Sequence, residues 1–186
     1  MIDKNYIQSI LLEHIKVVLD INLQEIDELK TDFLQVLKRG GKILFFGNGG
    51  SATQASHWAE EFVGRFVKRR KPLPALALGT NFSNITGISN DFGFEEIFSR
   101  EVEAFAYRRD LAVGISTSGN SPNVIKALET AKTLGIKTWI FTGNTKSKAK
   151  EIADKSLSIN SDKTARIQEL HALIIHIVFE FIEAEY

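Results

Sequence analysis

The stretch KILFFGNGGSATQASHWAEE, residues 42–61, decides the fold. It opens with a short apolar run, continues through a glycine-rich turn and ends in residues with helical spacing. A strand that feeds a helix through a glycine turn is typical of a parallel α/β sheet. The turn fits the pattern G-x-G-x-x-A, and the helix carries His57 and Glu61 four residues apart. The stretch therefore offers two candidate sites, one at the glycines and one at the His57–Glu61 pair.

Short apolar runs and helical patterns alternate along the chain after Gly41. The apolar runs lie at 42–46, 73–79, 110–115, 137–143 and 155–159, and the helical patterns lie near 52–69, 94–107, 122–134, 146–153 and from about 163 onward. Continuously apolar strands suit a sheet that is covered on both faces. Strands that alternate with helices imply right-handed crossovers. We therefore predict an α/β fold, a doubly wound five-stranded parallel sheet flanked by helices.

Two helices are predicted before the first strand, between Tyr6 and Lys38, with an irregular patch near residues 20–22. Their apolar stripes need a partner, either the later part of the chain or another subunit. Four apolar residues lie beyond a single stripe and favour a helical bundle between subunits: Leu12, Ile15, Val17 and Leu34. We predict one domain over residues 1–186, with helices in 1–40 used in oligomerisation and an α/β core in 41–186.

Composition argues against several classes of partner. The 23 lysines and arginines balance the 23 aspartates and glutamates, which speaks against nucleic-acid binding. The one basic run, at 68–71, is interpreted as a solvated helix end, with an anion or subunit contact as the secondary alternative. The absence of cysteine excludes disulfides and thiolate metal sites. No stretch reaches the roughly 18 apolar residues of a membrane span, and no signal peptide is apparent, so we expect a cytoplasmic protein.

The glycine turn lacks the partners of a nucleotide site. A dinucleotide-binding turn needs an acidic residue about 20 positions further on, at the end of the next strand. Here that strand ends in ALALGTNFSN, residues 75–84, which contains no acid, and no P-loop lysine is present. Glycines that serve only a tight turn remain an alternative. Asn48 and Ser51, beside exposed backbone N–H groups, favour a ligand rich in hydroxyls.

The segment GISTSGNSPNV, residues 114–124, predicts a phosphate site between a strand and a helix. Four hydroxyl residues, Ser116, Thr117, Ser118 and Ser121, lie with a glycine before a helix N-terminus, which attracts anions. Ser121 followed by proline also fits a simple helix cap, but a cap requires only one of the four. The two loops together indicate a sugar phosphate as ligand.

Histidines provide the remaining candidate chemistry. His57 and Glu61 lie on one helix face within one to three turns of the glycine loop, although such a pair is commonly a surface ion pair. The last helix carries Gln168, His171 and His176 among isoleucines and a valine. Taken alone, His171 and His176 are interpreted as hydrogen-bonded core histidines.

Five motifs in this order resemble the phosphoheptose isomerases of the sugar isomerase (SIS) fold family. They are GNGGS at 47–51, HWAEEFVGRF at 57–66, NDFGFEEIFSR at 90–100, GISTSGNSPNV at 114–124 and ARIQELHALIIH at 165–176. The resemblance covers nearly the whole chain. It implies conversion of sedoheptulose 7-phosphate to D-glycero-D-manno-heptose 7-phosphate through an ene-diol. This is the first step of nucleotide-activated heptose biosynthesis, whose product goes to lipopolysaccharide, capsule or glycoprotein.

The resemblance also implies roles for individual residues. Glu61 and His176 would be the catalytic base and acid, and zinc, one ion per subunit, would be bound by His57, Glu61, Gln168 and His176. The sugar and its phosphate would be bound by Asn48, Gly49, Gly50, Ser51, Arg65, Asn90, Asp91, Ser116, Thr117, Ser118, Ser121 and Gln168. Arg65, one helical turn beyond Glu61, would hold Glu61 or the phosphate. Some relatives carry Asp where this chain has Ala165, so that role is either absent here or met by Asp162 or Thr164.

The family is typically a homotetramer with the first helices in a central bundle and active sites between subunits. The alternative function is a non-catalytic SIS module that binds a sugar phosphate or the replication initiator protein. The initiator-associated type generally lacks the equivalents of Glu61 and His176, which are present here.

Overall fold

A computed structural model of the chain describes residues 3–144 and 146–186. Its strands are β1 (Ile43–Gly47), β2 (Ala75–Ala77), β3 (Leu111–Ile115), β4 (Lys137–Gly143) and β5 (Lys155–Ile159). Its helices are α1 (Lys4–Leu19), α2 (Leu23–Lys38), α3 (Gly50–Val63), α4 (Phe82–Phe92), α5 (Ile97–Phe105), α6 (Pro122–Thr133), α7 (Lys148–Ile152) and α8 (Thr164–Glu185). A 3₁₀ turn, Phe94–Glu96, precedes α5.

The strands form one parallel sheet in the order β2-β1-β3-β4-β5, which confirms the predicted fold class. The chain leaves β1 toward β2 on one side and returns to β3 on the other. The strand order therefore reverses at the carboxyl ends of β1 and β3. In open α/β sheets this switch point is where ligands bind, because the two following loops diverge there and leave a crevice.

Successive strand residues pack alternately into two separate hydrophobic cores, one on each face of the sheet. Phe45 points into the layer formed by α2, α3 and α8, whereas its neighbour Phe46 points into the layer formed by α5, α6 and α7. All five residues of β1 and of β3 are buried, as expected for strands covered on both faces. β1 and β3 therefore consist of continuous apolar runs whose residues belong alternately to the two cores.

The two N-terminal helices differ in what they bury. In α2 the apolar stripe, which includes Leu29 and Phe33, lies in the core of this chain. In α1 only Val17 is buried, and large apolar side chains remain exposed: Tyr6, Ile7, Leu11, Leu12 and Ile15. Val17 and Leu34 pack on the core of this chain, so only part of the set predicted for a bundle between subunits remains free for one.

Three local predictions are wrong. Helix α3 ends at Val63 rather than near 69, so the basic run 68–71 is not a helix end, and its Arg70 side chain is 2% exposed in an ion pair with Glu183. Arg65 likewise lies beyond the helix. Helix α4 was not predicted, because its sequence FSNITGISNDF lacks an apolar stripe strong enough to bury any residue fully.

None of the helices in the described ranges is both long and apolar enough to cross a bilayer.

Candidate active site

Two glycines shape the loop after β1. Gly49 has a φ of 53°, a backbone conformation that residues other than glycine rarely adopt. A Cβ on Gly50 would lie 2.5 Å from the side-chain nitrogen of Gln168. Asn48 exchanges two hydrogen bonds of 2.8 Å with Asn123 at the start of α6. The amide pair therefore ties the loop after β1 to the loop after β3. Ser51, in the first turn of α3, is buried.

The hydroxyl groups of the loop after β3 bond to each other and to the loop backbone. Ser116 Oγ lies 3.0 Å from Ser121 Oγ and accepts the Gly119 N–H at 3.1 Å. Ser121 is the N-cap residue of α6 with Pro122 at the first helical position, as predicted, but its side chain makes no capping bond to the helix. Thr117 is half-buried and Ser118 is exposed. Hydroxyls gathered before the positive end of a helix suit a phosphate group.

The loop after β4 supports this serine loop from behind. Gly119 has a φ of 64°, and a Cβ there would overlap Ser147 Oγ and lie 2.9 Å from Thr142 Oγ1. The Ala149 N–H donates to the Gly119 carbonyl oxygen at 3.1 Å. These supporting residues were not predicted, since nothing in their local sequence marks them as neighbours of the loop.

A cleft of about 490 Å³ lies against the two loops. It is lined by Asn48, Gly93, Phe94, Glu95, Ser121, Pro122 and Asn123. Asn48 and Ser121 were predicted to bind substrate, whereas residues 93–95 and Asn123 were not. The predicted pair Asn90 and Asp91 lies just upstream on the exposed end of α4, where the Asn90 amide donates to Asp91 at 2.8 Å. Asn90 and Asp91 as substrate-binding residues therefore stay a prediction.

Helices α3 and α8 lie side by side and bring His57, Glu61 and His176 together. Ligand atoms of these three side chains all lie within 4.8 Å of one another. His57 Nε2 is 3.0 Å from Glu61 Oε1, and the two histidine rings are 5.5 Å apart between centroids. The predicted pairing of Glu61 with His176 thus has direct geometric support. Two imidazoles and a carboxylate also form a donor set that accepts a divalent metal.

The surroundings of His176 favour its uncharged form. The ring of Phe66 stacks on it with centroids 5.4 Å apart. Burial lowers the pKa of His176, the neighbouring His57 lowers it further, and Glu61 opposes both. A neutral imidazole offers one N–H donor and one acceptor nitrogen, as proton exchange with a substrate requires.

The structure separates the His57–Glu61–His176 cluster from the glycine loop. Helix rise places Glu61 roughly 16 Å along α3 from Gly50, a span of three turns. The Gln168 side chain lies at the Gly50 end, and its backbone carbonyl accepts the Gln54 amide at 2.7 Å. Gln168 as a metal ligand therefore stays a prediction, while three of the four predicted ligands converge.

The surroundings of His171, Arg65 and Ala165 differ from one another. His171 is a core histidine as interpreted, fully buried with Nε2 3.4 Å from the Thr142 carbonyl oxygen. Arg65 is exposed and donates to the Val67 carbonyl at 3.2 Å. Ala165 lies exposed in the first turn of α8.

Known proteins resemble this chain along its whole length. The SIS domain family model matches residues 5–143. The phosphoheptose isomerase of Helicobacter pylori is 45% identical over 190 residues, covering 100% of this chain and 98% of that protein. The chain belongs to the phosphoheptose isomerase family. Among solved structures of this family, the Neisseria gonorrhoeae protein superposes with a TM-score of 0.91 at 36% identity, covering 97% of this chain and 98% of that chain. The Francisella tularensis protein gives 0.92 at 32% identity and 98% coverage of both.

Proposed function

We propose that the protein is an aldose–ketose isomerase that converts sedoheptulose 7-phosphate to D-glycero-D-manno-heptose 7-phosphate, supplying nucleotide-activated heptose synthesis. The observation that carries this proposal is the His57–Glu61–His176 cluster. It pairs a carboxylate, 14% exposed, with a histidine of lowered pKa. Such a pair supplies the base and the hydrogen-bond donor that ene-diol chemistry requires.

In the proposed reaction Glu61 removes a proton from C1 of the ketose while the His176 N–H donates to the carbonyl oxygen on C2. The C1–H electron pair becomes the C1–C2 double bond, and the ene-diol forms. Glu61 then returns a proton to C2 while the O1 hydroxyl gives its proton to the His176 nitrogen, which leaves an aldehyde at C1 and both residues in their starting protonation states. Protons and electrons balance within the substrate, so the isomerisation needs no external oxidant.

The serine loop is the proposed phosphate site. Ser116, Thr117, Ser118 and Ser121 lie at the N-terminus of α6, and Asn48 with the adjacent cleft lies beside them. The Asn48–Asn123 hydrogen bonds place the serine loop beside the start of α3, whereas Glu61 lies three helical turns further along α3. We therefore propose that each substrate is bound between two subunits, with its phosphate on one and its reacting carbons at the cluster of the other.

Subunit mixing tests this arrangement. Glu61→Gln and Ser116→Ala oligomers should each be inactive or nearly so, the first for lack of the base and the second for weak phosphate binding. After the two are unfolded and refolded together at equal amounts, about a quarter of sites would combine two intact halves. Recovery of activity near that fraction supports a shared site, and no recovery from a mixed oligomer contradicts it.

A homotetramer is the proposed assembly, built on the exposed apolar face of α1. Leu11 and Leu12 are each 58% exposed and Ile15 is 52% exposed on one helix. Apolar area of this extent on a helix is characteristic of a protein interface. Sedimentation equilibrium measures the mass, and a monomer at working concentration would contradict the assembly.

Zinc is the proposed metal, one ion per subunit, held by His57, Glu61 and His176 with Gln168 as the predicted fourth ligand. Imidazole and carboxylate donors fit Zn²⁺. When bound, the ion would supply a Lewis acid that polarises a carbonyl group. Its direct coordination by Glu61 and His176 would compete with their proton transfer, so a catalytic, a structural and an optional zinc remain alternatives. Metal analysis of dialysed protein tests the site, with His57→Ala as the variant expected to lower zinc content.

The activity itself is tested in deuterated water with sedoheptulose 7-phosphate, followed by mass spectrometry and NMR. The expected product is an aldoheptose 7-phosphate carrying solvent deuterium at C2. Glu61→Gln is the matched control and should bind the ketose without exchanging it. No conversion with or without zinc, while other ketose phosphates react, would transfer the proposal to a different substrate. No reaction with any of them would favour the non-catalytic module.

A further inference from the structure

A buried carboxylate on α8 holds the chain segment that follows α3. Glu183 is 3% exposed and accepts three consecutive backbone N–H groups, those of Phe66, Val67 and Lys68, each at 2.9 Å. Burial would raise the pKa of Glu183, but these donors and Arg70 outweigh it, so that its pKa lies below the usual value. Glu183 is therefore an anion fixed at one place in the fold.

Arg70 joins this carboxylate to the end of α3. Its side chain is 2% exposed, and its Nε lies 3.2 Å from Glu183 Oε1. One terminal nitrogen donates to the Phe62 carbonyl at 2.8 Å and the other to the Glu61 carbonyl at 2.6 Å. The guanidinium therefore contacts the backbone of the proposed base itself.

The same segment packs on the other half of the acid–base pair. Phe66, whose N–H is held by Glu183, stacks its ring on His176 at 5.4 Å and 27° between planes. Phe66 also packs on Phe179, one turn further along α8. Glu183 thus fixes the neighbour of His176 and, through Arg70, the backbone of Glu61.

We propose that Glu183 and Arg70 are positioning residues that set Glu61 and His176 in register through the end of α3 and the Phe66 ring. Neither residue is among those proposed to contact the substrate or the metal. The inference rests on the proposed function for its kinetic readout, but the ring geometry that it predicts is measurable without turnover. A misplacement of about 1 Å in an acid–base pair lowers turnover by about 100-fold, so a device that fixes both members has a measurable effect.

The test compares Glu183→Gln with Asp32→Asn as matched control. Asp32 is also a buried acid, 4% exposed, and it accepts hydrogen bonds from Lys137 and Trp139 between α2 and β4. Both variants remove a buried charge and lower stability, so activity is compared at a temperature where circular dichroism shows each one folded. Glu183→Gln should lower kcat about 10- to 100-fold with little change in KM, whereas Asp32→Asn should keep kcat.

NMR supplies the readout that is independent of turnover. Stacking by Phe66 shifts the His176 ring protons upfield, and in Glu183→Gln this shift should diminish, while Asp32→Asn retains it. Phe66→Leu should lower kcat as Glu183→Gln does, whereas Phe66→Tyr, which keeps the aromatic ring, should retain the wild-type kcat. An unchanged kcat in folded Glu183→Gln, or an unchanged ring-proton shift, would overturn the positioning role. A protein inactive on every ketose phosphate that still shows the shift change would overturn the proposed function alone.

Discussion

Acid should destabilise the fold through His171, which the folded chain holds uncharged in its core. The ring is fully buried beside Phe141, with centroids 5.4 Å apart and a carbonyl oxygen near one nitrogen. Burial lowers its pKa from 6.5 to about 4, and the bond to the Thr142 carbonyl offsets only part of this. Protonation in the folded state would leave a charge in the core without an acidic partner.

The shift converts into a pH dependence with a definite sign. Between pH 6.5 and 4 the unfolded chain binds a proton at this position and the folded chain does not, so the free energy of unfolding decreases as the pH falls. Each pKa unit corresponds to about 1.4 kcal/mol, which gives a total loss of about 3 kcal/mol by pH 4 and about 2 kcal/mol by pH 5. Above pH 6.5 the contribution is constant.

Urea unfolding of wild type and His171→Phe at fixed protein concentration, from pH 7.5 to 5, measures this contribution. The wild type should lose about 2 kcal/mol more than the variant over that interval, because the variant cannot bind the proton. Phe179→Leu is the control, a core change on the same helix without a titratable group, and its pH curve should run parallel to that of the wild type. Parallel curves for wild type and His171→Phe would refute the reasoning.

Three other outcomes are expected. Glu61→Gln should lower kcat by about 10²- to 10⁴-fold with the fold intact, measured by turnover and circular dichroism, and full activity would defeat its role as base. Gly119→Ala should raise KM for the sugar phosphate and lower the unfolding midpoint, because its Cβ would overlap Ser147 Oγ at a φ of 64°; an unchanged KM would contradict the phosphate loop. Leu12→Glu should dissociate the oligomer in analytical ultracentrifugation, since a charge would enter the proposed α1 interface, and an unaltered mass would exclude that face.

The sheet was predictable because its evidence is local. Each strand is a short apolar run between turn signals, and the run at 155–159 matches β5 residue for residue. Helix α4 has no such evidence, because its sequence is rich in Asn and Ser and none of its residues is fully buried. The Asn81 side chain caps its first turn, and Asn84 donates to Glu101 at 3.0 Å. The end of α3 is likewise set from afar, since Glu183 takes the N–H groups that would otherwise continue the helix.

The candidate site was likewise predictable only where its residues lie close together in the sequence. The four-residue spacing of His57 and Glu61 predicts that they share one helix face, although such a pair is commonly a surface ion pair, and the resemblance implied their role. That His176 joins them depends on α3 and α8 lying side by side, which the resemblance implied and no local pattern of residues shows. The cleft residues 93–95 were missed because their role follows from where the chain emerges after α4.

The His57–Glu61–His176 cluster and the cleft lie on opposite faces of the sheet. The His57–Glu61–His176 cluster lies in the α3–α8 layer, whereas the cleft lies at the start of α6 in the opposite layer. Side chains of the two layers meet the sheet through different strand residues, as Phe45 and Phe46 do. Substitutions confined to the cleft would therefore vary one layer while the residues that pack around the His57–Glu61–His176 cluster stay unchanged, which provides two independent sets of positions.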